Sequence, residues 1–489
     1  MKNADQLILV ALALFVFIGC SNPTENQDAA ATDTALSPSL AELAENLFQP
    51  ASDYPFSITL SPVQTNYHLP AMHSFAFATY DGMCIILGGQ IAGFHGTAND
   101  PPPFMRSVAN DSLWLIDPVN GVSYKAPVPP QLQAALTVTN PQYYQVGESL
   151  YVCGGYTVSD ATQPRFNTTS NNLIRVDLPS YIQYVQSGGV SPSADQVFPM
   201  AIQNDFVRVT GGEMIIVSDY FYLVGGQNFE GVYSVGSTGD YTNAIRTFTL
   251  QQTGSEWSLG TMDSLVDPVN LHRRDINLVP YLSSDGLDEA IILGGVFTPE
   301  DLSYNNPVYI TGLTDGTPAI TVGRYEQSCN QYSCAVASMW IAPQVEGMIY
   351  ALLGGITYKQ YSPDTGGLVI GDNGVPMPFS NLVDIIVSDT DTLMELVQTP
   401  PQPLLPGYLG SNAVFIPMPQ YVTDSYQNIL DLSKVFADST TTAATIGYMF
   451  GGILSEGPTS GTTPNGIVRT YANPVLYSVD LSFDVGNTQ

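Results

Sequence analysis

An apolar run ending in two glycines occurs six times along this chain of 489 residues. The copies are CIILGGQ (Gly88-Gly89), LYVCGGY (Gly154-Gly155), FYLVGGQ (Gly225-Gly226), AIILGGV (Gly294-Gly295), YALLGGI (Gly354-Gly355) and GYMFGGI (Gly451-Gly452), spaced 66, 71, 69, 60 and 97 residues apart. Chance glycine pairs would not all follow four or five apolar residues. Self-similarity at a recurring period marks a repeat architecture, and it constrains the fold more than composition does.

A second element follows each copy: an asparagine, then an apolar strand that often closes on aspartate. The six are Asn110 (NDSLWLIDP), Asn172 (NLIRVDL), Asn243 (NAIRTFTL), Asn306 (NPVYITGL), Asn381 (NLVDIIVS) and Asn473 (NPVLYSVDL). Aromatics recur further on, at Tyr124, Tyr184 and Trp257. A strand-like run precedes each glycine pair, as in 73–80, 142–147 and 411–417. Each unit therefore reads as a sheet of four short strands, with the glycine pair closing the second. One such sheet cannot bury both its faces alone, and radial packing of copies buries them and hides most edges.

These paired elements resemble the kelch repeat, over roughly residues 54–484. The resemblance implies an all-β chain, a six-bladed kelch-type β-propeller over 51–489. After Asp480 only nine residues remain, too few for a full last strand. Residues 56–60 (Phe-Ser-Ile-Thr-Leu) alternate strictly, and are expected to supply that strand and so close the last blade; the alternative is that 481–486 completes it.

Residues 7–18 form a twelve-residue apolar run, too short to span a bilayer and suited to the core of a signal peptide. It ends in Phe17-Ile18-Gly19-Cys20, which resembles a bacterial lipobox. That resemblance implies cleavage after residue 19 and a lipid on Cys20, which would place the chain on the bacterial cell envelope. Residues 20–50 read as a flexible tether, with a short helix at 40–47.

The formal charge is −31, with 13 basic against 44 acidic residues. Such a surface repels phosphate backbones and anionic lipid headgroups, which excludes nucleic-acid partners and leaves the lipid as the only membrane contact. Cys329 and Cys334, in SCNQYSC, are close enough for a local disulfide in an oxidising compartment. Cys84 and Cys153 fall inside apolar strands and read as buried thiols. No HExxH, GxSxG, phosphate loop or metal-spaced histidine cluster occurs, so no cofactor or catalytic residue is assigned. The oxygen-rich stretches 371–374 and 388–392 read as turns or as calcium loops.

In the kelch resemblance the first strands line a channel and the loops after the second strands share one face. Aligning the copies puts His73, Tyr143, Asp205, Arg273 or Arg274, Tyr332 and Asn412 at the channel mouth. Three functions fit: a monomeric recognition module for a protein or glycan, a sugar-processing enzyme resembling the sialic acid mutarotases, or a structural envelope protein. The first is the leading expectation, because loops on a rigid scaffold are where binding usually resides.

Overall fold

The computed structural model describes residues 56–483, except 95–103, 159–161, 234–236, 238, 284, 343–344, 371–376, 389–392, 427, 439–440, 460 and 464–465. Cys20, the leader and tether, residues 371–374 and most of 388–392 lie outside the described residues. The described chain is all-β with few short helices, of which Leu178–Gln186 is the longest.

Six antiparallel sheets of four principal strands follow one another along the sequence. The first uses His73–Tyr80, Met83–Gln90, Ser112–Asp117 and Val122–Pro127. The next four repeat this order, their first strands being Gln142–Val146, Glu213–Val217, Asn277–Ser283 and Ala335–Ala342. The sixth combines Tyr408–Pro417, Ala443–Ser455 and Leu476–Phe483 with a strand from the other end of the chain, Phe56–Pro62. That strand runs antiparallel to Leu476–Phe483, with Phe56 opposite Phe483 and Pro62 opposite Tyr477. Its alternation is what a one-sided strand needs, for Phe56, Ile58 and Leu60 are buried while Ser57 and Thr59 are less so. Gln398 ties it to the fifth sheet, accepting from the Ile58 amide (2.7 Å) and donating to the Ile58 carbonyl (3.0 Å).

The glycine pairs join each sheet to the next. Gly89 donates its amide to the Val138 carbonyl (2.7 Å), Gly155 to Val209 (2.8 Å), Gly226 to Arg273 (2.7 Å) and Gly355 to Leu409 (2.8 Å). Gly452 donates to Met72 (3.0 Å), immediately ahead of the first sheet. A Cβ on Gly88 or Gly451 would press on these same carbonyls, Val138 and Met72, and φ there is 70° and 71°. Only glycine meets both demands, left-handed backbone and close approach. First strands also touch in order, His73–Tyr80 against Gln142–Val146 and so on to Tyr408–Pro417, which touches His73–Tyr80.

The asparagine column is only partly what the sequence suggested. The amides of Asn110 and Asn473 donate to the second glycine's carbonyl (2.9 Å each), but in the other sheets Ser170, Thr242, Tyr304 and Ser380 do so. Asn172, Asn243, Asn306 and Asn381 sit one or two residues later. Tyr184 marks no fourth strand either. It lies on the helix Leu178–Gln186, capped by Asp177, whose carboxylate accepts from the Ser180 amide (3.0 Å). Tyr181 of that helix anchors in the first sheet, donating to the Ile86 carbonyl (2.7 Å). The fourth strand of the second sheet is Met200–Gln203.

The expected disulfide is not formed. Cys329 and Cys334 are free thiols. The turn between them carries Asn330 and Ser333 in left-handed backbone and sends the thiols to different neighbours. Cys329 is fully buried beside Thr357, while Cys334 Sγ lies 3.7 Å from Asn277 Oδ1.

The insertion between the first two strands of the sixth sheet does not stay there. Its strand Ile429–Asp431 adds to the fifth sheet, parallel to Ala335–Ala342. Tyr426 reaches on to the fourth, its hydroxyl accepting from the Leu287 amide (3.1 Å).

Candidate functional site

One residue at the entry to each first strand adopts left-handed backbone: Asn140 (φ 58°), Gly211 (69°), Asp275 (52°) and Ser333 (50°) two positions ahead of the strand, and Ser74 (56°) and Asn412 (54°) within it. Asparagine, aspartate, serine and glycine are the types that tolerate it. Backbone bonds link them from sheet to sheet: Asn140 N–H to Ser74 O (2.9 Å), Asp275 N–H to Gly211 O (2.5 Å) and Asn412 N–H to Ser333 O (2.6 Å). The residue before each, namely His73, Thr139, Thr210, Arg274, Tyr332 and Ser411, pairs with the residue after a glycine pair. All residues of these two columns but Thr139, Thr210 and Gly211 line a pocket of about 90 Å³.

The pocket has a polar floor and aromatic walls. Asn140 Nδ2 donates to Asp275 Oδ1 (3.1 Å), and Arg274 Nε stands 3.7 Å from Asp275 Oδ2. Burial pushes the Asp275 carboxyl up, against the pull of Arg274 and Asn140. Burial works against the Arg274 charge as well, but Asp275 and Tyr156, Tyr241 and Tyr233 outweigh it and hold the guanidinium protonated. Its guanidinium lies over the Phe297 ring, 5.1 Å from the centroid. Ser333 and Asn412 complete the floor, with Ser333 Oγ 2.6 Å from Asn412 Oδ1.

His73 is buried and has both nitrogens engaged. Its Nε2–H donates to the Ala92 carbonyl (2.9 Å), leaving Nδ1 to accept from Ser74 Oγ (2.8 Å). Burial lowers its pKa to about 4 despite the nearby backbone carbonyls, so the ring is neutral. Tyr332 is pushed up by burial, and its hydroxyl meets Met377 Sδ (3.7 Å).

The walls are Phe94, Phe104, Tyr156, Tyr233, Phe297 and Tyr332. Phe104 is placed there at a conformational cost: φ is 59°, rare for a bulky residue. Gln90 Oε1 accepts from its amide (3.1 Å), and Asn167 Nδ2 donates to its carbonyl (3.1 Å). Its ring packs 4.9 Å from Tyr156 and 4.6 Å from Tyr233, centroid to centroid.

Of the residues singled out in the sequence, the structure brings His73, Arg274, Tyr332 and Asn412 together at this pocket. It places the others elsewhere. Tyr143 lies further along its strand and faces a second, larger cavity. Asp205 is exposed on a short 3-10 helix, paired with Arg208 (2.7 Å) and accepting from Asn171 Nδ2 (2.9 Å). Arg273 points away from the pocket, donating from Nη1 to the carbonyls of Gly294 (3.0 Å) and Asn306 (2.9 Å) while covering the Tyr304 ring. Its task is to fasten the fourth sheet.

Sequence reasoning missed Asn140 and every wall residue except Tyr332. The signal for Asn140 is a column of Ser, Asn, Gly or Asp at the entry to each first strand. Phe94, Phe104 and Tyr233 come from loops that do not repeat, so no alignment of copies could find them.

No family model matches the chain, and no curated protein matches it. Among solved structures, one described as the structure of YjhT is similar, with a TM-score of 0.46 and 11% identity, covering 82% of this chain and 98% of that one.

Proposed function

We propose that this chain is a six-bladed kelch-type β-propeller, lipid-anchored to the cell envelope at Cys20, that recognises the end of a glycan at the pocket described above. The six serial sheets, the glycine joints that run on from sheet six to sheet one, and the shared sixth sheet all support a closed ring.

The observation that carries the ligand class is Phe104. A bulky ring held in left-handed backbone by two side-chain hydrogen bonds presents an aromatic face beside a floor of Arg274, Asp275, Asn140 and Asn412. A sugar ring offers the matching surface: C–H groups for the aromatic face, and a fan of hydroxyls for paired donors and acceptors. At about 90 Å³ the pocket is well below the roughly 300 Å³ of an ordinary small-molecule site, so it admits the tip of a larger ligand.

Recognition without chemistry is favoured over sugar processing because the acid–base groups around the pocket are already engaged. His73 is bonded at both nitrogens, and Asp275 is held by Asn140 beside Arg274. A general acid or base must reach the substrate's proton.

Saturation-transfer NMR against monosaccharides and oligosaccharides, sialic acid included, tests the proposal. Transfer to a terminal sugar, with no change in its anomer exchange rate, is expected. Accelerated anomer exchange would replace recognition with catalysis, and silence across the panel would remove the glycan.

A further inference from the structure

The larger cavity lies beyond the polar floor and is lined by residues of all six first strands. Its volume is about 600 Å³, within the roughly 300–1,000 Å³ usual for small-molecule sites. Tyr426 and Ile429 of the sixth sheet's insertion line its other end, where the insertion crosses from the fifth sheet to the fourth.

The Glu213 side chain opens onto this cavity and makes no hydrogen bond among the described residues. An ionised carboxylate in such a place is costly unless paired. The lining offers no partner, since no lysine, arginine or histidine is part of it. The acidic and phenolic groups facing Glu213 are Asp275 and Tyr143, with Cys334 in the same wall, and Asp285 and Asp424 stand exposed further out. A neutral side chain would fold more easily, so the carboxyl is explained best by a partner that arrives from outside.

The chemistry of the lining narrows that partner. No cluster of three His, Cys, Asp or Glu able to hold a metal ion occurs among the described residues. Phe77, Tyr143, Tyr144, Phe415 and Tyr426 instead supply aromatic faces to the cavity that Glu213 lines, with Asp285 and Asp424 at its exposed end. Carboxylates with aromatic walls and no basic side chain are the arrangement that receives an organic ammonium group, through a charge-assisted hydrogen bond and cation–π contact. The formal charge of −31 would also raise the local concentration of such a cation.

We propose that this cavity is a second binding site, specific for a small organic amine whose ammonium group pairs with Glu213. It is separate from the glycan reading and stands whether or not a sugar binds. On binding, the Glu213 carboxyl loses its proton to solvent and the ammonium keeps all of its own.

Titration calorimetry on the full chain in detergent, with phenethylamine as probe and phenethyl alcohol as its uncharged counterpart, reads this directly. Phenethylamine is expected to bind about tenfold or more tightly than the alcohol. Repeating the titration in buffers of different ionisation enthalpy should show proton release. Glu213→Gln should lose that release and most of the affinity, while Phe104→Ala should leave both unchanged. Amine binding of equal strength in Glu213→Gln would overturn the proposal and assign the cation to the acidic surface. Should that variant not fold, the native chain decides: affinity rising from pH 6 to pH 8 is expected, and a flat profile would overturn it.

Discussion

The amide of Gly452 donates a 3.0 Å hydrogen bond to the carbonyl of Met72, so the last glycine pair holds the chain that enters the first sheet. The same bond joins Gly89 to Val138 and Gly226 to Arg273, which makes the pair a joint between neighbours rather than a turn within one sheet. Gly451→Ala should therefore cost about 2–3 kcal/mol, from left-handed backbone plus the clash with the Met72 carbonyl and the Phe75 ring. Gly367→Ala meets nothing within 4 Å and should stay within about 0.5 kcal/mol. Chemical denaturation of the two variants checks the contrast.

The strand Phe56–Pro62 supplies the fourth strand of the sixth sheet, and Gln398 carries its hold to the fifth. Ile58→Ala should cost about 2–5 kcal/mol, since the residue is 1% exposed. Deleting 51–62 should lower the melting temperature of all six sheets in one transition. Deleting 21–50 should leave it within a degree or two of the native chain. Two separate transitions after the first deletion would show that the sixth sheet is dispensable to the rest.

Most of this architecture was legible in the sequence, because each glycine pair follows a strand whose apolar residues must be buried. The terminal strand was legible for the same reason, as Phe56, Ile58 and Leu60 alternate. The pocket was legible only in part. His73, Arg274 and Tyr332 occupy equivalent positions, but strand starts blur by a few residues, so Tyr143 and Asp205 align by sequence where the column holds Thr139 and Thr210. Arg273 and Arg274 are adjacent, and only the sheet register shows which one faces the pocket. The helix carrying Tyr181 and Tyr184 has aromatic residues that read equally well as strand.

Two groups, buried His73 and half-buried Glu213, set opposite limbs of the stability profile. His73 has a folded pKa of about 4, below the usual 6.5. Its neutral form therefore supports folding fully above about pH 6.5, and that support is lost as pH falls towards 4. Burial, with Asp275 nearby, raises Glu213 from 4.5 to about 8. Its protonated form supports folding fully below about pH 4.5, and that support is lost as pH rises towards 8. Melting temperature against pH should flatten on the acid side in His73→Gln and on the alkaline side in Glu213→Gln. Each difference is read from native minus variant, which removes the repulsion of the −31 surface common to both.

In the function proposed, envelope attachment rests on Cys20. Cys20→Ala should abolish incorporation of labelled fatty acid and move the chain from the membrane fraction to the soluble one. Unchanged fractionation would leave the apolar run 7–18, uncleaved, as the anchor.

The central claim is recognition of a sugar end by the aromatic wall and polar floor. The most direct test is NMR titration of the best-binding oligosaccharide against native chain, Phe104→Ala and Asp275→Asn. Removing the ring should weaken binding at least tenfold, about 1.4 kcal/mol, with the melting temperature little changed. Asp275→Asn, which removes an acceptor at the floor, should weaken it as much. Native affinity in both variants would contradict the account and move recognition to the outer loops.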